Sequence, residues 1–196
     1  WLYTFRGLAG FTLMYFLLMY AIDSKKFIFL LIKVWLLLMT LAMIYGYYQE
    51  FFGLLPFELN WVMAEKARYM LLYQAGKFRM FSFFSDPLVY GFSMCFTGML
   101  CFILAGGPFR TYKKVFLYTL GCLMIYGMLF SGTRAAFILP PAGFLFYSII
   151  KFKKNIIITG GVLLFLVIIL LNIPSSNPNL VRLQSAFKPS EDASYQ

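Results

Sequence analysis

Histidine is absent from this chain of 196 residues, which excludes a histidine-based metal site or a histidine-centred triad within it. Acid is scarce as well, with seven Asp and Glu against seventeen Lys and Arg. Cysteine is limited to Cys95, Cys101 and Cys122. All three sit in apolar stretches without CxxC spacing and read as small hydrophobes in lipid or helix contacts. Charged residues amount to 12%, where a soluble domain averages about a quarter. Segments of alternating apolar and polar residues are missing too, which argues against an outer-membrane barrel. There is no internal repeat and no low-complexity tract.

What is present is apolar: 62% of residues are hydrophobic and 21% aromatic. They are gathered in long runs, the pattern of a helical membrane protein. The net charge of +10 comes from short basic clusters between those runs. That spacing is topology-setting charge and not the continuous basic stripe of a nucleic-acid binder, so no nucleic-acid partner is expected. No metal and no cofactor are expected either.

The fold class predicted is all-α: a polytopic transmembrane helix bundle of about six spans, with residues 1–196 forming one membrane domain. The spans cover Gly7–Ile22, Phe27–Tyr47, Leu88–Ala105, Val115–Phe130, Ala135–Ile150 and Asn155–Ile173. Crossing the hydrocarbon takes about twenty residues at a 1.5 Å rise, so the shorter runs borrow flanking residues. Lys33 lies close enough to its helix end to snorkel. The chain opens on Trp1 without a signal peptide and stops in a polar stretch, which reads as an internal piece of a longer polytopic protein.

Lys25 and Lys26, then Arg110, Lys113 and Lys114, then Lys151, Lys153 and Lys154 fall in alternate loops. The positive-inside rule makes that side cytoplasmic. Every acid except Asp23 then lies outside: Glu50, Glu58, Glu65, Asp86, Glu191 and Asp192. The external parts are Tyr48–Pro87, the turn Ser131–Arg134, and 174–196. In the first of these, "YYQEFFGLLPFELNW" is aromatic enough for the headgroup level. The following "MAEKARYMLLYQAGKFRM" predicts a helix lying along the interface.

Arg79, Arg134 and Arg182 are external, where topology gives no reason for them. Ser131, Gly132 and Thr133 are turn and N-cap residues that place a helix start within "SGTR". A cation in a first helical turn opposes the helix dipole by a few tenths to about one kcal/mol. A bound anion reverses that sign, since arginine and free amides both point at it. Snorkelling to lipid phosphate, or pairing with a nearby acid, explains Arg134 without any ligand. Pro140 and Pro141 predict a break in the helix that follows, and irregular backbone at that depth is tolerated against protein or a cavity. Asp86 and Pro87 mark another helix start, as cap and first helical residue. Arg182, taken by itself, reads as a solvated loop residue. Taken together, three external arginines suit a diphosphate or other polyanion, for which bidentate contact favours arginine over lysine.

"RMFSFFSDPLVYG", then "LFSGTRAAF", then "VRLQSAF…SEDAS" resemble, in order and membrane side, motifs of the O-antigen ligase and polymerase superfamily over about residues 75–196. The resemblance implies a metal-independent glycosyltransferase of the bacterial inner membrane. Such an enzyme moves a glycan from undecaprenyl diphosphate to an acceptor hydroxyl on the periplasmic face. The acceptor is lipid A–core, another lipid-linked repeat, or a protein hydroxyl. By the same resemblance Arg134, then Arg79, then Arg182 hold the donor's diphosphate, and 174–196 opens a large periplasmic loop. Two departures matter. Leu88 stands where the family often has Asn, and the histidine proposed as general base in the ligases has no counterpart here. The base is therefore expected beyond Gln196, and the chain alone is expected to be inactive. Two other readings stand beside this one: a transporter or channel with an arginine-lined anion path, and a membrane scaffold whose aromatic loop is an interaction surface.

Overall fold

The computed structural model describes residues 2–22, 24–74 and 76–151. The sixth predicted span, the segment 174–196 and Arg182 lie outside them. The described chain is mostly helical. Its elements are α1 (Leu2–Ala21), α2 (Lys25–Phe52), α3 (Pro56–Met63), α4 (Lys66–Leu72), β1 (Tyr73–Gln74), β2 (Lys77–Phe78), α5 (Pro87–Ala105), α6 (Thr111–Leu129) and α7 (Arg134–Lys151). Two units divide inside α2, between Leu38 and Met39.

The first unit holds α1 and the opening turns of α2. Ser24 starts α2: the Phe27 amide donates to its carbonyl at 3.1 Å and to its hydroxyl at 3.3 Å. Leu13, Phe16, Leu30 and Leu37 are exposed. In water each such side chain forgoes about 1.5–3 kcal/mol of burial, a penalty that lipid removes. Among the described residues α2 and α5 are long and apolar enough to cross a membrane, with mean hydropathies of 2.6 and 2.0. Only 17% of the α2 window is buried, which is unlike the core helix of a soluble protein.

In the second unit α5 packs along α6 through glycine. A Cβ on Gly98 would stand 3.1 Å from the Gly121 carbonyl oxygen, and one on Gly121 equally far from that of Gly98. Such close backbone approach is the usual solution for helices in lipid, where packing and not hydrophobic exclusion drives association. The last turns of α2 meet this pair at Tyr90, whose buried ring lies against Gly46 and Gly127. The Tyr47 hydroxyl donates to the Leu123 carbonyl at 2.9 Å. On the far side Phe144 of α7 packs against Phe102 of α5, with ring centroids 5.5 Å apart.

The end of α2, the start of α5, the end of α6 and the start of α7 gather at one end of this unit. That is the end which the charge pattern reads as external. Arg110, Lys113 and Lys114 lie at the start of α6, away from it.

Three expectations change. First, α2 does not stop at Tyr47 but runs on to Phe52 and ends at Gly53, which has φ +85°. Second, the stretch 63–80 is not one interfacial helix. α4 stops at Leu72 and the chain turns back as an antiparallel hairpin that pairs Tyr73 with Phe78 and Gln74 with Lys77. Gly76 at φ +76° makes that turn, and Lys77 pairs with Glu50. The hairpin returns Phe78 and Phe81 to a small core of Val62, Leu72 and Phe81, against which Leu54 and Tyr69 also pack. Third, α7 continues through Pro140 and Pro141 without a break. Each proline removes one amide donor, and the flanking turns keep the helix.

Candidate functional site

The turn between α6 and α7 is built to be rigid. Leu129 and Met128 accept from the Gly132 and Ser131 amides at 3.2 and 3.1 Å. The Ser131 hydroxyl donates to the Met128 carbonyl at 2.8 Å and accepts from the Thr133 amide at 3.2 Å. Gly132 sits at φ +58°, a conformation that favours glycine. Ser131, Gly132 and Thr133 are all buried. Arg134 follows as the first residue of α7; its side chain lies outside what the structure describes.

Arg79, 52 residues earlier in sequence, reaches this turn. Its Nε donates to the Ser131 carbonyl at 2.9 Å and its Nη2 donates to the Thr133 hydroxyl at 3.0 Å. Its Nη1 donates to the Leu71 carbonyl at 3.4 Å. The Thr133 hydroxyl in turn donates to the Pro87 carbonyl at 3.3 Å. Met80 adds a backbone bond, from its amide to the Phe130 carbonyl at 3.2 Å. Asp86 caps α5 through the Leu88 amide at 2.7 Å, and Pro87 is its first residue. Arg79, Asp86, Pro87, Ser131, Gly132 and Thr133 therefore belong to one cluster around the start of α7.

Gly91, one turn into α5, makes room for this cluster. A Cβ there would fall 2.5 Å from the Ser131 hydroxyl oxygen.

Comparison with protein-family models, with curated proteins and with solved structures returned no match. Likeness to known proteins thus adds nothing to the geometry.

A second polar set was not legible in the sequence. Glu58 is buried and accepts from the Tyr45 hydroxyl at 2.8 Å, Gln49 Nε2 at 2.7 Å and the Leu55 amide at 2.9 Å. Gln49 Oε1 accepts from the Ser82 amide at 2.8 Å, and the Ser82 hydroxyl donates to the Ala42 carbonyl at 2.6 Å. An open cleft of about 570 Å³ lies beside it, lined by Tyr45, Phe57, Glu58, Trp61 and residues 81–85. Nearby, the Arg68 guanidinium stacks on Trp61 at 4.0 Å from the ring centre and pairs with Glu65 at 2.8 Å. Among the described residues no group of three His, Cys, Asp or Glu is placed to hold a metal ion.

Proposed function

We propose that this chain is part of a bacterial inner-membrane glycosyltransferase of the O-antigen ligase and polymerase type, with about six spans and its active face toward the periplasm. Its donor is a glycan on undecaprenyl diphosphate, and its acceptor is a hydroxyl of lipid A–core or of another glycan. The observation that supports the reading most is the contact of Arg79 with Ser131 and Thr133. Two of the three motifs that resemble the family meet there, at a helix start that carries a second basic group, Arg134.

Transfer needs little from the protein beyond charge placement. The acceptor oxygen bonds to the anomeric carbon as the bond from that carbon to the diphosphate oxygen breaks. The acceptor's proton passes to a base that this stretch of chain does not supply. Negative charge grows on the leaving diphosphate, where guanidinium groups and the first amides of α7 stabilise it. Arg134 is the principal contact, Arg79 borders the same turn, and Arg182 is the third contact.

The test is lipid binding to purified full-length protein in nanodiscs, with folding checked for each variant. Arg134→Ala is expected to weaken undecaprenyl diphosphate by about ten- to a hundredfold, the range for losing a hydrogen bond to a charged group. Arg134→Lys should recover little, because lysine lacks the bidentate fork. Undecaprenyl monophosphate should bind less well to the wild type and lose less on mutation. Arg110→Lys, at the opposite end of the second unit, should change nothing. Equal binding of both lipids to wild type and Arg134→Ala would make the arginine a headgroup anchor and sink the transferase reading.

A further inference from the structure

Arg79 and Ser82 stand three residues apart on a segment, 79–86, that has neither helix nor strand to stiffen it. The Arg79 side chain is bonded to the α6–α7 turn, and the Ser82 backbone amide is bonded into the buried set around Glu58 through Gln49. Ser82 is the non-glycine residue with positive φ among those described, at +53°. The Phe84 amide closes a tight turn around it by donating to the Phe81 carbonyl at 2.9 Å. A strained residue of this kind persists only where its surroundings over-determine it. Here two directional bonds do so, one from the Ser82 amide to Gln49 and one from its hydroxyl to Ala42.

Gln49 is itself fully buried, and its amide group is held at both atoms: Oε1 by Ser82 and Nε2 by Glu58. Glu58 is fixed by Tyr45 and by the Leu55 amide at the entry to α3. An apolar cluster would cover the segment equally well but would allow it to slide. A fully satisfied polar chain allows one register.

We propose that Tyr45, Glu58 and Gln49 form a positioning relay that acts through Ser82 to hold Arg79 on Ser131 and Thr133, and thereby sets the anion-binding start of α7. The inference rests on the anion-site reading of that turn. It makes Arg79 chiefly a positioning residue, because its Nε and Nη2 are engaged by the turn itself.

A double-mutant cycle on full-length protein tests it, with undecaprenyl diphosphate as probe. Gln49→Leu should weaken binding by about three- to tenfold, the cost of a lost internal hydrogen bond. The same substitution in an Arg79→Gln background should cause no further loss, since the relay acts only through Arg79. Thermal unfolding of each variant guards against a folding artefact in Gln49→Leu, and Gly10→Ala, outside the relay and with nothing within 4 Å of the added Cβ, should bind like wild type. Additive losses, or undiminished binding in folded Gln49→Leu, would overturn the relay. Hydrogen exchange of the amides 130–136 gives a readout independent of any ligand. It should quicken in Gln49→Leu and in Arg79→Gln alike. Unchanged exchange there would also overturn the relay, whereas failure of wild type to bind the lipid would overturn the anion-site reading and leave the exchange result to decide on the relay.

Discussion

Tyr90 carries a hydroxyl that is buried and has no hydrogen-bond partner among the described residues. Its ring fits because two glycines clear the way: a Cβ on Gly46 would stand 2.3 Å from that oxygen, and one on Gly127 3.3 Å. The packing therefore favours the ring, while the oxygen is a cost. Tyr90→Phe is expected to leave stability unchanged or raise it by about 1 kcal/mol, the scale of an unsatisfied buried group. Thermal unfolding in detergent reads this directly. A fall of similar size would mean that a buried water bonds the hydroxyl in the folded protein. Arg79 shows the opposite economy. It is part-buried, yet three of its nitrogens face oxygens of the turn and of Leu71. Its charge is held where a helix start would otherwise repel it.

At the scale of elements, the closest packing is between α5 and α6 at Gly98 and Gly121. Their mutual 3.1 Å clearance to carbonyl oxygens leaves no room for a branched side chain. Gly121→Val should cost about 1–3 kcal/mol through overpacking. Gly10→Ala, where a Cβ meets nothing within 4 Å, is the matched control in the same unfolding assay. Equal stability of the two variants would mean that α5 and α6 do not approach this closely. The elements also divide by how far sequence could reveal them. Helices formed from long apolar runs are legible, since the runs themselves specify burial in lipid or against each other. The cap and first residue of α5, Asp86 and Pro87, are local chemistry and equally readable. The hairpin was hidden because "ARYMLLYQ" is composed mostly of good helix formers. What turns the chain there is Gly76, together with a core completed by Val62 and Phe81, residues near it in space and not in sequence. The relay was hidden more deeply. Gln49, Glu58 and Ser82 are unremarkable polar residues in an aromatic stretch, and only the fold brings Gln49 within 2.7 Å of Glu58 and 2.8 Å of the Ser82 amide. The turn "SGTR" is marked in the sequence by a cation at a helix start. Its link to Arg79 across 52 residues had no sequence signal beyond the family resemblance.

At the scale of the whole molecule, one question governs all the others: which side of the membrane holds the end where α2, α5, α6 and α7 meet. The basic residues give an answer by the positive-inside rule, and the second unit supplies two exposed positions that test it. Asn60 lies on α3, near the Arg79 cluster's end, and Thr111 opens α6 beside Arg110, Lys113 and Lys114; both are exposed. Ser131 is a poor reporter because it is fully buried. In protein with Cys95, Cys101 and Cys122 replaced, Asn60→Cys should react with an impermeant maleimide added to intact spheroplasts. Thr111→Cys should react only after the membrane is opened. Labelling of both from outside would mean that no bilayer separates the two ends, and α2 and α5 would then be apolar for another reason. Labelling of Thr111→Cys alone would place Arg79 and the start of α7 in the cytoplasm. A donor presented on the periplasmic face would then be out of their reach. The arginines would join the ordinary topology-setting charge, leaving the anion site without its motive, since positive charge on that side requires no ligand to explain it.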